Sequence, residues 1–373
     1  MKKIGIITYF YNSTNYGGIL QAYALCKALN SLEGVEAEQI SYDYDSHIVK
    51  KKKNIKLLLK RNVKRCLSLW IKKYGVSEDE EKKIAFKYFV DRHIPHTETL
   101  YKDGELIKII DRYDCYVTGS DQVWNPVSMD DNFFLEFVSN KKKIAYASSL
   151  GADVIEPVLL EQICKKISSF HFVSVREKSA KSMLEMNGIK NVELMPDPVF
   201  LLRDRDWKTI SIIPPCKKFL FVYFLSNNIN IRKKALLFAN KRGLQVYDFS
   251  PLFLFNDKEA INCSQMGPEA FIGHICCSDF CFTDSFHCTA FSIIFQKRFL
   301  VFEREPVENI TSNTRIQTIL EQMNLLERLV TESQEIDKLA EQQIGRCDEI
   351  IQQIRTAGYS YLERAVGYEK EKY

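Results

Sequence analysis

The chain has 373 residues, 46% of them hydrophobic, with 52 Lys and Arg against 48 Asp and Glu. A net charge of +4 makes no global field for nucleic acid, and no apolar run reaches the length of a membrane span. The length suggests two domains. Eleven cysteines, scattered and odd in number, suit reduced and mostly buried thiols better than a disulfide framework. Lys2 and Lys3 lead straight into a short strand over residues 4–8, so no signal peptide is expected and a cytoplasmic location is.

Residues 4–45 read as a βαβ unit. The first strand is followed by a polar loop ending at Asn15-Tyr16-Gly17-Gly18. A helix over residues 19–30 carries Leu20, Tyr23, Ala24 and Ala28 at helical spacing, and a second strand covers residues 37–42. Gly17 and Gly18 let backbone approach a ligand and open a helix, or simply make a tight turn. They are neither the three-glycine dinucleotide fingerprint nor a P-loop. Asp43-Tyr44-Asp45 reads as a surface turn in preference to an Asp-x-Asp metal motif.

Residues 46–77 contain no Asp or Glu, and Lys50 to Lys73 carry eleven positive charges. Ile55, Leu59, Val63, Cys66, Leu67 and Trp70 fall on one face of the predicted helix. Such a basic amphipathic segment is either a solvated helix on its own domain or a contact for an anionic membrane surface or anionic substrate. An acidic run from Glu78 to Glu81 then opens a helix through about Arg92. The whole of 46–92 reads as an insertion in the first domain.

Further strand ends collect polar residues. A strand over residues 114–118 stops at Gly119-Ser120-Asp121-Gln122-Val123-Trp124-Asn125, with Trp124 available as a packing anchor. Another over residues 143–149 ends in Ser-Ser-Leu-Gly. A third, over residues 170–175, runs into Arg176-Glu177 and a helix. A guanidinium at that junction can clamp a carboxylate or phosphate, or pair with a neighbouring acid.

After Pro196-Asp197-Pro198 the pattern restarts as a second α/β domain: strand 218–225, helix 232–242, strand 244–249, helix 270–277. The most informative stretch follows. Residues 280–283 are apolar and β-prone, Asp284 and Ser285 are helix-capping types, and residues 286–295 continue as an apolar helix. His287 therefore falls in the first turn of a helix that follows the carboxyl end of a strand. Ligands of open α/β sheets bind at that edge, helix N-termini there suit anions, and a histidine can exchange a proton near neutral pH. The bland alternative is a histidine that only caps or packs. His274, Cys276, Cys277, Cys281, His287 and Cys288 lie close in sequence but lack the paired spacing of a zinc site, so no metal is expected.

Taken in order, Asn15-Tyr16-Gly17-Gly18, the Gly119–Asn125 run, Ser174-Val175-Arg176-Glu177, Asp197-Pro198, Gly267-Pro268-Glu269, Thr283-Asp284-Ser285-Phe286-His287 and Asn313-Thr314-Arg315-Ile316 resemble the polysaccharide pyruvyl transferase family. The match runs over roughly residues 1–330. The resemblance implies an α/β fold of two facing Rossmann-like domains, glycosyltransferase-B-like, with a carboxyl-terminal helical segment. On that reading residues 1–205 form the acceptor-side domain and 206–332 the donor-side domain. Residues 333–373 are helices packing back on the first.

The resemblance further implies phosphoenolpyruvate as donor substrate, with no other cofactor. It implies a glycan or lipid-linked oligosaccharide as acceptor, and pyruvate attached as a ketal with release of phosphate. His287 would do acid–base work or hold the leaving phosphate, and Asp284 would orient it or cap the helix. Arg176 and the amides near Ser285 would take the donor's anionic groups. Asn15, Gly17, Gly18, Ser120, Asp121 and Arg315 would complete the substrate contacts. Cys288 stands where glycine is usual after the histidine and adds a β-carbon there. Two alternatives stay open: a nucleotide-sugar glycosyltransferase of the same shape, and a non-catalytic glycan-binding member.

Overall fold

The computed structural model describes residues 1–46, 80–215, 218–255, 258–304, 314–330, 336–342, 345 and 347–367. The basic segment anticipated over 46–77 therefore lies outside the described residues, apart from Ser46.

Two parallel sheets organise the chain. The first comprises β1 (Lys2–Ile7), β2 (Val35–Gln39), β3 (Cys115–Thr118), β4 (Lys142–Ser148), β5 (Phe172–Val175) and β6 (Val192–Leu194), in the order β2-β1-β3-β4-β5-β6. The second comprises β7 (Phe219–Tyr223), β8 (Gln245–Asp248), β9 (Ile261–Asn262), β10 (Phe280–Thr283), β11 (Arg298–Phe302) and β12 (Leu329–Val330), in the order β12-β11-β10-β7-β8-β9. Central strands are largely apolar because helices cover both faces of a parallel sheet. β3, β7 and β10 are buried throughout. β6 was not anticipated from sequence, since three residues show no period.

Each sheet reverses its strand order once, between β1 and β3 in the first and between β7 and β10 in the second. Connections leave such a point toward opposite faces, which opens a crevice beyond the carboxyl ends of the two strands. Both crevices carry the polar motifs of the sequence.

Helix α1 (Tyr16–Asn30) is buried on almost every side, as a helix apolar all round must be. Leu25, Cys26 and Leu29 pack with Ile4 and Ile6 of the first sheet. Tyr16, Ile19, Leu20 and Tyr23 instead join a core with Phe271 and Phe291 of the second domain. The Tyr16 ring stacks on Phe271 with centroids 4.2 Å apart, and its hydroxyl donates to the Met266 carbonyl at 2.6 Å. Such an aromatic pair adds roughly 0.5–1.5 kcal/mol beyond its buried area. The domain seam is thus apolar and packed, with α2 (Glu80–His93) alongside it, where His93 stands 3.5 Å from Glu269.

Four other helices matter below: α3 (Pro157–Ile167), α4 (Lys178–Met186), α5 (Ile229–Arg242) and α6 (Pro268–Cys277). They are followed by α7 (Phe286–Ile294), α8 (Thr314–Gln322) and α9 (Asp348–Val366). The last of these crosses to the first sheet. Tyr361, Leu362, Ala365 and Val366 pack among Ile4, Val117 and Ile144, and the Tyr361 hydroxyl donates to the Ala145 carbonyl at 2.7 Å.

Candidate active site

The site is built on the two crevices where they face each other. His287 lies in the first turn of α7, directly after β10, and is 8% exposed. Its neighbour across the seam is Gly17, in the first turn of α1. A β-carbon on Gly17 would stand 2.0 Å from His287 Nδ1, so only glycine leaves room for the imidazole. Gly17 was expected to admit a ligand, and what it admits is the protein's own histidine. Gly17→Ala should therefore expel the ring, with an overpacking cost of about 1–3 kcal/mol. Its turnover should fall toward that of a variant lacking His287. Full activity in Gly17→Ala would show that the ring has another stable position.

The other ring nitrogen, Nε2, faces Asp197 Oδ2 at 3.4 Å, inside ion-pair distance but off the line of a hydrogen bond. Asp197 is the residue that sequence reasoning passed over. It was noticed as half of an Asp-Pro pair but given no role. It follows β6, and its Oδ1 accepts from Val199 N–H at 3.1 Å. Oδ2 accepts from Arg176 Nη1 at 2.6 Å and from the Ser120 hydroxyl at 3.3 Å. Burial works against its charge, yet His287, Arg176 and the Val199 amide outweigh burial and hold its pKa well below the usual carboxylate range.

Arg176 is a hub for acids rather than an open clamp. Nη1 pairs with Asp197, Nη2 with Asp121 Oδ1 at 3.2 Å, and Nε with Glu177 Oε1 at 3.3 Å. The side chain is 1% exposed, and its guanidinium lies 4.8 Å from the Phe286 ring centre. Burial opposes the charge, but the three carboxylates hold the guanidinium protonated. Arg176 is expected to take the donor's anionic groups; in this structure its nitrogens are engaged with the chain's own carboxylates.

Asp284 is also placed differently from expectation. Its Oδ1 accepts from Leu225 N–H at 2.7 Å and Oδ2 from Ser226 N–H at 2.9 Å, which ties the β7 crevice loop to β10. Arg304 Nε donates to its carbonyl at 2.8 Å. The carboxylate facing His287 is Asp197, and Asp284 shapes the loop beside it. Ser285 occupies the N-cap of α7, but its side chain makes no capping bond, so the first-turn amides keep no side-chain acceptor.

The first-domain residues divide in two. Ser120 is fully buried: its hydroxyl also donates to the Ala147 carbonyl at 2.7 Å, and its amide donates to Gln21 Oε1 at 3.0 Å. It braces Asp197 from within the protein. Asp121 sits in the left-handed region with φ 67, a conformation that Asp tolerates, and this turns its carboxylate to Arg176. Asn15 is the N-cap of α1, its Oδ1 accepting from Gly17 and Gly18 N–H at 2.9 and 3.3 Å. Asn15 is exposed and borders a cavity of about 300 Å³ shared with Tyr9, Tyr42, Asp43 and Asp45. Gly18 lies against the Tyr9 carbonyl.

The remaining candidates fall into the core. Trp124 is fully buried and stacks parallel to Phe134. His274 is buried, its Nδ1 2.7 Å from the Ala270 carbonyl oxygen. Cys288 points to the sheet side of α7, its sulfur 3.4 Å from that of Cys281. Its β-carbon is therefore directed into the core. All cysteines among the described residues are free thiols, and no group of three or more His, Cys, Asp or Glu there is placed to hold a metal. Among the described residues no helix is long and apolar enough to cross a membrane.

Two Rossmann-like domains that meet over a shared crevice define the glycosyltransferase-B class of fold. The sequence profile of the polysaccharide pyruvyl transferase family matches residues 15–306, and the chain belongs to that family. No curated protein sequence matches at significance. Among solved structures the chain is similar to MnaA with UDP from S. aureus, at 14% identity and TM-score 0.49, over 99% of this chain and 96% of that one. It is similar to a putative UDP-N-acetylglucosamine 2-epimerase from Listeria monocytogenes, at 12% identity and TM-score 0.49, over 98% of each chain. A further likeness is to E. coli heptosyltransferase WaaC with ADP-2-deoxy-2-fluoro heptose, at 11% identity and TM-score 0.37, over 86% of this chain and 99% of that one.

Proposed function

We propose that this protein transfers the pyruvyl group of phosphoenolpyruvate to a sugar of a surface polysaccharide or its lipid-linked precursor, forming a ketal and releasing phosphate. The observation that carries the reading is the placement of His287. It stands at the first turn of a helix on the switch point of the second sheet, with Gly17 and Asp197 of the first domain on either side of its ring. Family membership supports the same reaction class.

The chemistry needs few groups. The methylene carbon of the donor takes a proton, which makes C2 electrophilic. One sugar hydroxyl adds to C2 and loses its proton, the bond from C2 to the phosphate oxygen breaks, and a second hydroxyl closes the ketal. Of the two hydroxyl protons, one balances the new methyl group and the other leaves with phosphate. His287 is suited to carry such a proton through Nδ1, which lies at the seam beside Gly17. The first-turn amides of α7 suit the phosphate that leaves. His287, Arg176 and the Val199 amide favour the carboxylate form of Asp197, which suits it to steady the ring and any positive charge on it.

Phosphoenolpyruvate should raise the melting temperature of the purified protein more than uridine or guanosine diphosphate sugars do. Stabilisation by a nucleotide sugar and none by phosphoenolpyruvate would replace this reading with nucleotide-sugar transfer.

A further inference from the structure

Three tyrosines of the first domain are pinned by their hydroxyls. The Tyr9 hydroxyl lies 3.4 Å from that of Ser128, Tyr44 donates to the Ser128 carbonyl at 3.1 Å, and Tyr42 donates to Asp130 Oδ2 at 2.7 Å. Their rings pack together: Tyr9 meets Tyr44 edge-on with centroids 5.1 Å apart, and Phe133 at 4.4 Å. These residues line the cavity of about 300 Å³ that Asn15 borders, formed by the segments that follow β1 and β2. With the hydroxyls engaged by the protein, what the tyrosines offer a ligand is ring carbon, held in place before anything binds.

Asp43 and Asp45 line the same cavity, and no Lys, Arg or His does. Asp43-Tyr44-Asp45, read from sequence as a surface turn, is thus part of a cavity wall. The buried arginines of the site, Arg176 and Arg315, lie outside it. A second cavity of about 410 Å³ shares Phe10 to Thr14 and Asp45 and continues toward α2. Its two lysines stand beside acids, Lys83 at 3.8 Å from Glu80 and Lys87 at 2.6 Å from Asp91, so it adds no net positive charge. Carboxylates only accept hydrogen bonds. Fixed rings with acceptors beside them fit a pyranose, which has C–H bonds on its ring faces and hydroxyl donors on its edge, and cavities of about 300 Å³ or more hold small ligands. Two acids in a wall without a cation repel a third negative charge. A phosphate, a diphosphate or a uronic acid is therefore a poor occupant.

We propose that this cavity holds one sugar unit of the acceptor glycan against the Tyr9, Tyr44 and Phe133 rings, and that Asp43 and Asp45 select an uncharged unit there and reject a uronic acid. The loop over residues 8–15 forms one wall and runs on into Gly17, against which His287 lies, so the cavity adjoins the transfer site along the chain. The proposal rests on the pyruvyl-transfer reading only in calling the glycan an acceptor.

The test uses the full-length protein and ligand-observed NMR. The uncharged probes are the methyl glycosides of glucose, galactose, mannose and N-acetylglucosamine, and methyl glucuronide is the acidic one. At least one uncharged glycoside should bind roughly ten-fold or more tightly than the glucuronide. In the double variant Asp43→Asn with Asp45→Asn that preference should shrink to about two-fold, because the amides keep hydrogen bonds but carry no charge. Tyr44→Ala should weaken the preferred glycoside roughly ten-fold. Melting temperatures check that the variants fold, and if Tyr44→Ala does not, the aspartate variant decides alone. The proposal is overturned if no uncharged glycoside binds, if the glucuronide binds as well as they do, or if the preference survives in the double variant. Stabilisation by phosphoenolpyruvate is measured on the same wild-type sample. If phosphoenolpyruvate fails to stabilise it but the charge preference holds, the cavity stands as a glycan site and the transfer reading falls. If phosphoenolpyruvate stabilises it and no glycoside binds, only the cavity proposal falls.

Discussion

His287→Ala should lower turnover by roughly 10²–10⁴-fold, the range for loss of a positioned general acid or base. The melting temperature should change little by comparison. The reason is geometric: removing the ring leaves the apolar packing of Phe286, Cys288 and Phe291 in place, and these residues anchor α7. The loss should fall mainly on kcat and only slightly on donor affinity, because the amides of α7 remain. His287→Gln keeps polar contacts but cannot carry a proton, so it should be no more active than His287→Ala. Turnover near wild type in both variants would sink the acid–base role. An unfolded His287→Ala would point instead to a packing histidine.

Asp197→Asn should have the largest effect on stability. Asp197 is buried and holds Arg176, the Ser120 hydroxyl and the Val199 amide, and it faces His287. Breaking a buried ion pair from one side costs about 3–5 kcal/mol, because the partner charge is left without its counterion. Asp121 and Glu177 still face Arg176, which favours the lower end of that range. The sign of the pH dependence follows from the lowered native pKa of Asp197. Its contribution is fully present above the unfolded value of about 3.9. It is lost as pH falls through the lower native value. The stability gap between wild type and Asp197→Asn should therefore stay level from neutral pH to about pH 5 and narrow below about pH 4. A gap that is absent at neutral pH, or that widens on acidification, would show that Asp197 is not ionised in the native state. Activity should fall as well, since His287 loses the carboxylate opposite Nε2.

How much of the site was legible depended on the distance over which each signal acts. The step from β10 to α7 is written in a dozen consecutive residues. An apolar β-prone run meets a polar pair and then an apolar helix, so His287 could be placed on the crevice edge. Asn15 carried a similar local signal, a short polar side chain ahead of two glycines, but the helix was expected only from residue 19, whereas it starts at Tyr16 with Asn15 as its cap. Ser285 shows the limit of that reasoning. It has the right type and position for a cap, yet the Ser285 amide is turned to Thr283 Oγ1 and its own side chain makes no capping bond. Asp284 likewise has capping chemistry, but tertiary contact gives its carboxylate to the loop after β7.

Charge pairing was the least legible feature. Arg176 next to Glu177 suggested an open guanidinium or a local pair. Nothing local announces that Asp121 and Asp197 converge on the same group, because β3, β5 and β6 bring them together only when the sheet forms. Asp197 follows a strand of three residues, too short for any periodicity, so its place at a crevice edge was hidden.

The sequence by itself determined the two α/β halves, the strand–helix steps that face the crevices, and the absence of any zinc-type spacing. Those properties rest on hydrophobic period, turn chemistry and ligand spacing, which act within one or two elements. Tertiary structure alone decided which carboxylate faces His287, why Gly17 must lack a side chain, and which three acids surround Arg176. Each of these depends on elements from two domains meeting at the switch points of two separate sheets, and strand order is a long-range property that no window of residues carries.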